Sequence, residues 1–176
     1  MIPESIQSLI TKLQQEGLEV IVGGGLAVNA HGFARVTTDA DLIVRKNDRE
    51  KALEVLSDLG FVEKGTTNVS TRLSHSSYLL PFVDLLWTEA ATFQVFLKGA
   101  ISISPNSNAL SLPHLIAMKI HAITQSADRF AKDSEDIRWL LKYNPTEISL
   151  QDYQNLLDRF ASDGRKEYLL TLHPDN

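Results

Sequence analysis

The run from Ile21 to Val44 limits the fold more than any other part of the chain. Leu18–Val22 is a short apolar strand, Gly23-Gly24-Gly25 interrupts it, and Leu26, Ala27, Val28 and Ala30 favour a helix to about His31 that Gly32 stops. A second strand covers Ala40–Val44. Asp39 and Asp41, spaced i and i+2 at the entrance to that strand, therefore point from one face. Two adjacent like charges need a reason. Aspartates at a strand entrance serve as turn formers, and they also serve as oxygen ligands to a divalent cation. The glycines offer backbone N–H groups to the phosphates such a cation accompanies.

The remaining pattern reads as mixed α and β. Residues 3–16 make an amphipathic helix on Ile6, Leu9, Ile10 and Leu13, ended by Gly17. A helix capped by Asn47 or Asp48 runs to about Leu59, with Gly60 closing it. Phe61–Glu63 and Thr71–Ser77 are strand-like around a polar turn, Gly65–Ser70. The apolar run Tyr78–Trp87 carries one charge, Asp84, and Pro81 either makes it an edge strand or marks its true start. A short helix at 89–98, a strand at Ala100–Ser104 and a loop at Pro105–Asn108 follow. Beyond that loop the composition turns helical, with helices to about Gln125, over about 130–142, and over about 149–161 after the Asn144-Pro145 break. The division expected is a core of residues 1–108 and a helical segment of residues 109–176 that completes the cleft.

Composition removes several classes. With 17 Lys+Arg against 22 Asp+Glu the net charge is -5, which argues against a long DNA duplex as partner. A local basic patch of Arg35, Arg45, Lys46, Lys119, Arg129 and Lys132 still allows tRNA. There are no cysteines, so neither disulfides nor thiolate metal sites exist. No apolar run reaches membrane-spanning length and no leader pattern is visible, so a cytoplasmic location is expected.

Asp84 shifts the balance at the acid pair. A lone carboxylate in an apolar strand is costly unless paired or bound to metal. If its strand lies beside that of Asp39 and Asp41, three carboxylates converge, a set suited to two Mg²⁺ ions shared with phosphates and water. The glycines match neither a dinucleotide fingerprint nor a P-loop, and a tight turn or close helix packing would also use them. Lys119 shares a helix row with Leu112, Leu115 and Ala122. It is either a phosphate ligand or a lysine whose stem packs while its ammonium reaches water. Asp133 and Asp136 suit second-shell positions and equally suit first-turn acids favoured by the helix dipole. Arg35 is a phosphate contact or a surface ion pair. The five histidines show no metal-ligand spacing, and Trp87 and Trp139 are better core residues than stacking platforms.

Gly24-Gly25, thirteen residues, Asp39-Ala40-Asp41 and a later Val83-Asp84-Leu85 resemble the motif set of the DNA polymerase β-like nucleotidyltransferase superfamily. Gly24 to Gly32 with Arg35, Thr38, Asp39 and Asp41, then Lys119, Ala122, Arg129, Lys132-Asp133 and Asp136, resemble the AbiEii-type branch, which includes toxins of toxin–antitoxin systems. Many superfamily members carry Gly-Ser where this chain has Gly24-Gly25. The resemblance implies an α+β nucleotidyltransferase fold, a short mixed sheet flanked by helices. It implies NTP phosphates at Gly24 and Gly25, with Arg35, Thr38, Lys119, Arg129 and Lys132 as further nucleotide contacts. Two Mg²⁺ (or Mn²⁺) ions would sit on Asp39, Asp41 and Asp84, with Asp84 also activating the acceptor hydroxyl. The reaction implied moves a nucleoside monophosphate from an NTP to RNA or tRNA, a protein or a small molecule, and a cognate antitoxin is a further implied partner. A non-catalytic nucleotide- or partner-binding scaffold and a metal-dependent phosphoesterase are the alternatives.

Overall fold

The computed structural model describes residues 3–77 and 79–176. Tyr78, where the apolar run of the sequence begins, lies outside the described residues. The chain forms two compact units, residues 1–30 with 35–111, and residues 31–34 with 112–176.

The first unit is built on one seven-stranded mixed sheet flanked by helices, as the sequence predicts. Its elements are α1 (Glu4–Gln15), β1 (Ile21–Val22), α2 (Gly24–Ala30), β2 (Asp39–Arg45), α3 (Arg49–Asp58), β3 (Phe61–Thr66), β4 (Ser70–His75), β5 (Phe82–Thr88), α4 (Ala90–Gly99), β6 (Ile101–Ser104) and β7 (Ser107–Ala109). The strand order is β3-β4-β5-β2-β1-β7-β6, with β2·β5 and β1·β7 parallel and the other pairs antiparallel. α1 buries the stripe Ile6, Leu9, Ile10 and Leu13 read from its spacing. Alternation on β2 and β5 buries Ala40, Leu42 and Val44 beside Val83, Leu85 and Trp87. Ile43, on the opposite face, is buried too, because Gly23 packs over its side chain.

One local alternative is decided and two expectations change. Pro81 marks a strand start and not an edge: β5 begins at Phe82 and runs between β4 and β2, so the missing proline N–H falls just outside the ladder. The segment Pro105–Asn108, expected as a loop, contains a tight turn into β7, which a run as short and polar as Ser107-Asn108-Ala109 does not announce. And α2 starts on Gly24 itself, so the glycine turn and the helix are one feature.

The second unit holds α5 (Leu112–Gln125), α6 (Phe130–Tyr143), α7 (Leu150–Phe160) and α8 (Asp163–Leu170). Ser149 caps α7 by accepting from the Asp152 N–H. Inside it, buried Tyr153 donates to the Leu169 carbonyl at 2.8 Å, and burial raises its phenol above the usual tyrosine range. Residues 31–34 join this unit through Phe33, which stacks on Trp139 at 5.5 Å, and through the His31 carbonyl, which accepts from Asn144 Nδ2 at 3.0 Å. Trp139 is thus half-buried in a stack that also includes Tyr143. Trp87 is a core residue.

Candidate active site

The parallel pairing of β2 and β5 brings the three sequence-predicted acids together. Asp41 and Asp84 are register partners, and Asp39 pairs with Phe82 two residues earlier. In-register partners share a face, so Asp39, Asp41 and Asp84 all project from the side opposite Ala40 and Leu42. Each is half-buried.

The glycine turn lies directly against this face. Gly24 has φ +50, and a Cβ built on it would fall 1.7 Å from Asp41 Oδ2 and 2.9 Å from Asp41 Cβ. A Cβ on Gly25 would fall 2.6 Å from Thr37 Oγ1 and 3.0 Å from Arg35 Nη2. Both glycines are therefore required by close approach, and Gly24 also by its left-handed backbone. The acid-bearing strand and the start of α2 pack as one element.

Side chains that the sequence reading did not single out hold the acids in place. Thr37, rather than its neighbour Thr38, donates to Asp39 Oδ1 at 2.9 Å, whereas Thr38 is exposed. Asn29 grips the Arg35 backbone twice, Nδ2 donating to its carbonyl at 3.0 Å and Oδ1 accepting its N–H at 2.9 Å. Arg72 on β4 is the register partner of Asp84 and donates to it through Nη1 at 2.8 Å. Thr37 precedes β2, so no strand alternation announces its contact with Asp39. Nor was Arg72 legible, because the pairing of β4 with β5 is invisible in sequence.

The donor set suits a hard divalent cation: carboxylate oxygens from adjacent strands on one face, with Gly24 leaving room beside Asp41. Asp39 is turned to Thr37 and Asp84 to Arg72, and among the described residues no group of three or more His, Asp or Glu is drawn together to hold a metal ion.

In the second unit, Lys119 is 4 % exposed. Its Nζ donates to Asp133 Oδ1 at 2.9 Å and Asp136 Oδ2 at 2.6 Å, and Arg129 Nε donates to Asp133 Oδ2 at 2.8 Å. Asp133 and Asp136 are buried on α6, Asp133 in its first turn, and both accept from Lys119. Lys132 is exposed. Among the residues proposed for a basic patch, Arg45 pairs with Glu19 and Asp48, Lys46 with Glu89, Lys119 with Asp133 and Asp136, and Arg129 with Asp133. The bond to Asp48 is the main cause that raises the Arg45 guanidinium above its usual value.

The architecture resembles several solved structures. A crystal structure of ANT(2'')-Ia in complex with adenylyl-2''-tobramycin superposes with a TM-score of 0.67 at 15% identity, over 93% of this chain and 96% of that one. The lincomycin-bound lincosamide antibiotic adenylyltransferase LnuA gives 0.56 at 14% identity, over 81% and 98%. The Megavirus polyadenylate synthase gives 0.58 at 15% identity, over 88% of this chain and 36% of that one. Among curated proteins no sequence matches. The fold is that of the nucleotidyltransferases of the DNA polymerase β-like superfamily. The sequence profile described as aminoglycoside-2''-adenylyltransferase matches residues 5–92, half of the chain, and the protein belongs to that family. It is accordingly a nucleotidyltransferase, and the superfamily expected from the motifs is the one found. The AbiEii-type branch expected within it is not the family that matches.

Proposed function

We propose that this protein transfers a nucleoside monophosphate from an NTP to a hydroxyl group of a small molecule, with pyrophosphate as the second product. The observation that carries the reading is the Asp41–Asp84 register pair with Gly24 packed against Asp41, which sets acids and glycine turn side by side. Phosphates would lie at Gly24 and Gly25, beside the Arg35 guanidinium. Asp39, Asp41 and Asp84 would hold divalent cations, Mg²⁺ or Mn²⁺. Such ions, when bound, lower the pKa of an attacking oxygen and offset charge on the triphosphate. In the transfer, the acceptor oxygen bonds to the α-phosphorus and the bond from that phosphorus to the bridging oxygen breaks. Pyrophosphate leaves with the electron pair, and Asp84 takes the acceptor proton. Thr37 and Asn29 serve by orientation, the first fixing Asp39 and the second the Arg35 backbone. Positioning and electrostatics supply most of the rate in such transfers.

The family supports a small-molecule acceptor, and ANT(2'')-Ia and LnuA carry antibiotics in their structures. An RNA or tRNA acceptor rests on the motifs and on a fold shared with the Megavirus polyadenylate synthase, and an AbiEii-type toxin with an antitoxin on the motifs alone. The ion pairs of Arg45, Lys46, Lys119 and Arg129 leave them little of the basic patch they need.

Incubation with each α-labelled NTP, Mg²⁺ and pools of small molecules, RNA or protein tests the proposal. Label in a small-molecule product together with pyrophosphate is expected. Absence of a thermal shift with all four NTPs, and of any pyrophosphate, would favour a non-catalytic scaffold. Phosphate release without label transfer would favour a phosphoesterase.

A further inference from the structure

Arg72, Asp84 and Asp41 form one row across three adjacent strands. Arg72 on β4 is the register partner of Asp84 on β5, and Asp84 is that of Asp41 on β2, so all three lie on one face of the sheet. Neighbouring strands stand about 4.8 Å apart, which puts the backbones of Arg72 and Asp41 about 10 Å apart with the central acid between them. Asp84 therefore has a fixed cation on one side and, on the other, the carboxylate with which it would share a divalent ion. One of its oxygens is engaged by the fixed cation, Arg72 Nη1 donating to Asp84 Oδ2 at 2.8 Å.

The guanidinium is held from a second direction. It lies 4.7 Å from the centre of the Phe82 ring, and Phe82 precedes Asp84 by two residues on β5 and so projects from the same face. The Arg72 side chain is 45% exposed and that of Asp84 17%. An ion pair so open to water contributes little to the fold. Its charge nevertheless acts on any ion brought to the acids. At an effective dielectric constant of about 20, a unit charge about 6 Å from a divalent cation opposes its binding by enough to change the affinity tenfold or more.

We infer that Arg72 is a positioning residue that acts through Asp84: it is the built-in counter-ion of the third acid, holding that carboxylate towards β4 and lowering the affinity of the acid face for a divalent cation. This role rests on the reading of Asp39, Asp41 and Asp84 as cation ligands and deepens it.

Mn²⁺ binding to the full chain without NTP is followed by loss of the free-ion electron paramagnetic resonance signal. The chains compared are the parent, Arg72→Gln, Arg72→Lys, Asp84→Asn and the double variant Arg72→Gln, Asp84→Asn. Arg72→Gln is expected to bind Mn²⁺ about tenfold or more tighter, and Arg72→Lys, which keeps the charge, to stay close to the parent. In the Asp84→Asn background the same glutamine should change the affinity clearly less, because the coupling runs through that carboxylate. In EDTA, Arg72→Gln should melt below the parent, its Asp84 having lost a partner, and saturating Mn²⁺ should raise its melting temperature more than it raises the parent's. A brace that only ties β4 to β5 would lower the melting temperature and leave Mn²⁺ affinity unchanged. If Arg72→Gln fails to fold, as judged by circular dichroism, Phe82→Leu decides: it loosens the guanidinium and should give a smaller gain in the same direction. An unchanged or weaker Mn²⁺ affinity, or an equal gain in the Asp84→Asn background, overturns the inference, and label transfer by the parent would then leave nucleotidyl transfer standing. Tighter binding by Arg72→Gln in a chain that transfers from no NTP supports the counter-ion and defeats the transfer. Mn²⁺ binding by neither parent nor variant overturns both.

Discussion

Asp41 on β2 and Asp84 on β5 stand opposite one another in a parallel register that runs unbroken from Asp39–Phe82 to Arg45–Thr88. A slip of one residue would send Asp84 to the buried face with Leu42 and Leu85, so the apolar alternation that specifies the core also specifies the acid cluster. The placement of the acids is thus a by-product of packing, while the loop before β2 supplies Thr37 to orient Asp39.

Asp41→Asn tests the cluster directly. The amide keeps the shape against Gly24 and should fold with a melting temperature close to the parent's. Transfer should fall by about a hundredfold or more, the order seen when one electrostatic element of a site is removed. Calorimetry should show weaker Mg²⁺-dependent NTP binding. A variant with parental turnover would remove Asp41 from the site.

Gly24→Ala separates backbone from carboxylate. At φ +50 an alanine is strained, and its Cβ collides with Asp41 Cβ as well as the mobile carboxylate, so rotation of the side chain alone gives no relief. A loss of about 1–3 kcal/mol in denaturant unfolding is expected, accompanied by reduced transfer. Gly65→Ala, where no atom lies within 4 Å, is the matched control and should change neither.

What was legible in the sequence follows from the range of each interaction. The stripe of α1, the strand of Asp39 and Asp41, and the glycine stops depend on neighbours within a turn or a strand, and these were read correctly. Asp84 was legible as an anomaly, because a charge in an apolar strand needs a partner wherever that strand goes. Arg72 was not, since its importance depends wholly on β4 pairing with β5. Lys119 shows the limit of a helix-row argument. The row placed its stem in the apolar face, but its ammonium does not reach water as one of the two readings had it: it is buried against Asp133 and Asp136 of α6, partners that no pattern in α5 reveals.

His114 gives a pH signature. Burial lowers its imidazole below the usual value, so the unfolded chain binds its proton more readily than the folded one. Its contribution to stability is whole above the unfolded value of about 6.5 and declines as the pH falls through it towards the folded value. The melting temperature should therefore drop between about pH 7 and pH 5, and His114→Gln should reduce that drop. An identical slope in the variant would assign the effect to other groups.

Lys119 offers the test between scaffold and ligand. Its ammonium is enclosed by Asp133 and Asp136, with Arg129 on the far oxygen of Asp133. Lys119→Met preserves the stem and leaves two carboxylates buried with one half-exposed cation, at a cost of about 3–5 kcal/mol. The triple variant Lys119→Met, Asp133→Asn, Asp136→Asn removes the stranded charge and should recover a good part of that loss, as a coupled network does. In urea unfolding, then, the single variant shifts far and the triple variant less. A phosphate ligand behaves in the opposite way. Lys119→Met would leave the unfolding midpoint near the parent's and raise KM for NTP, and the added asparagines would restore nothing.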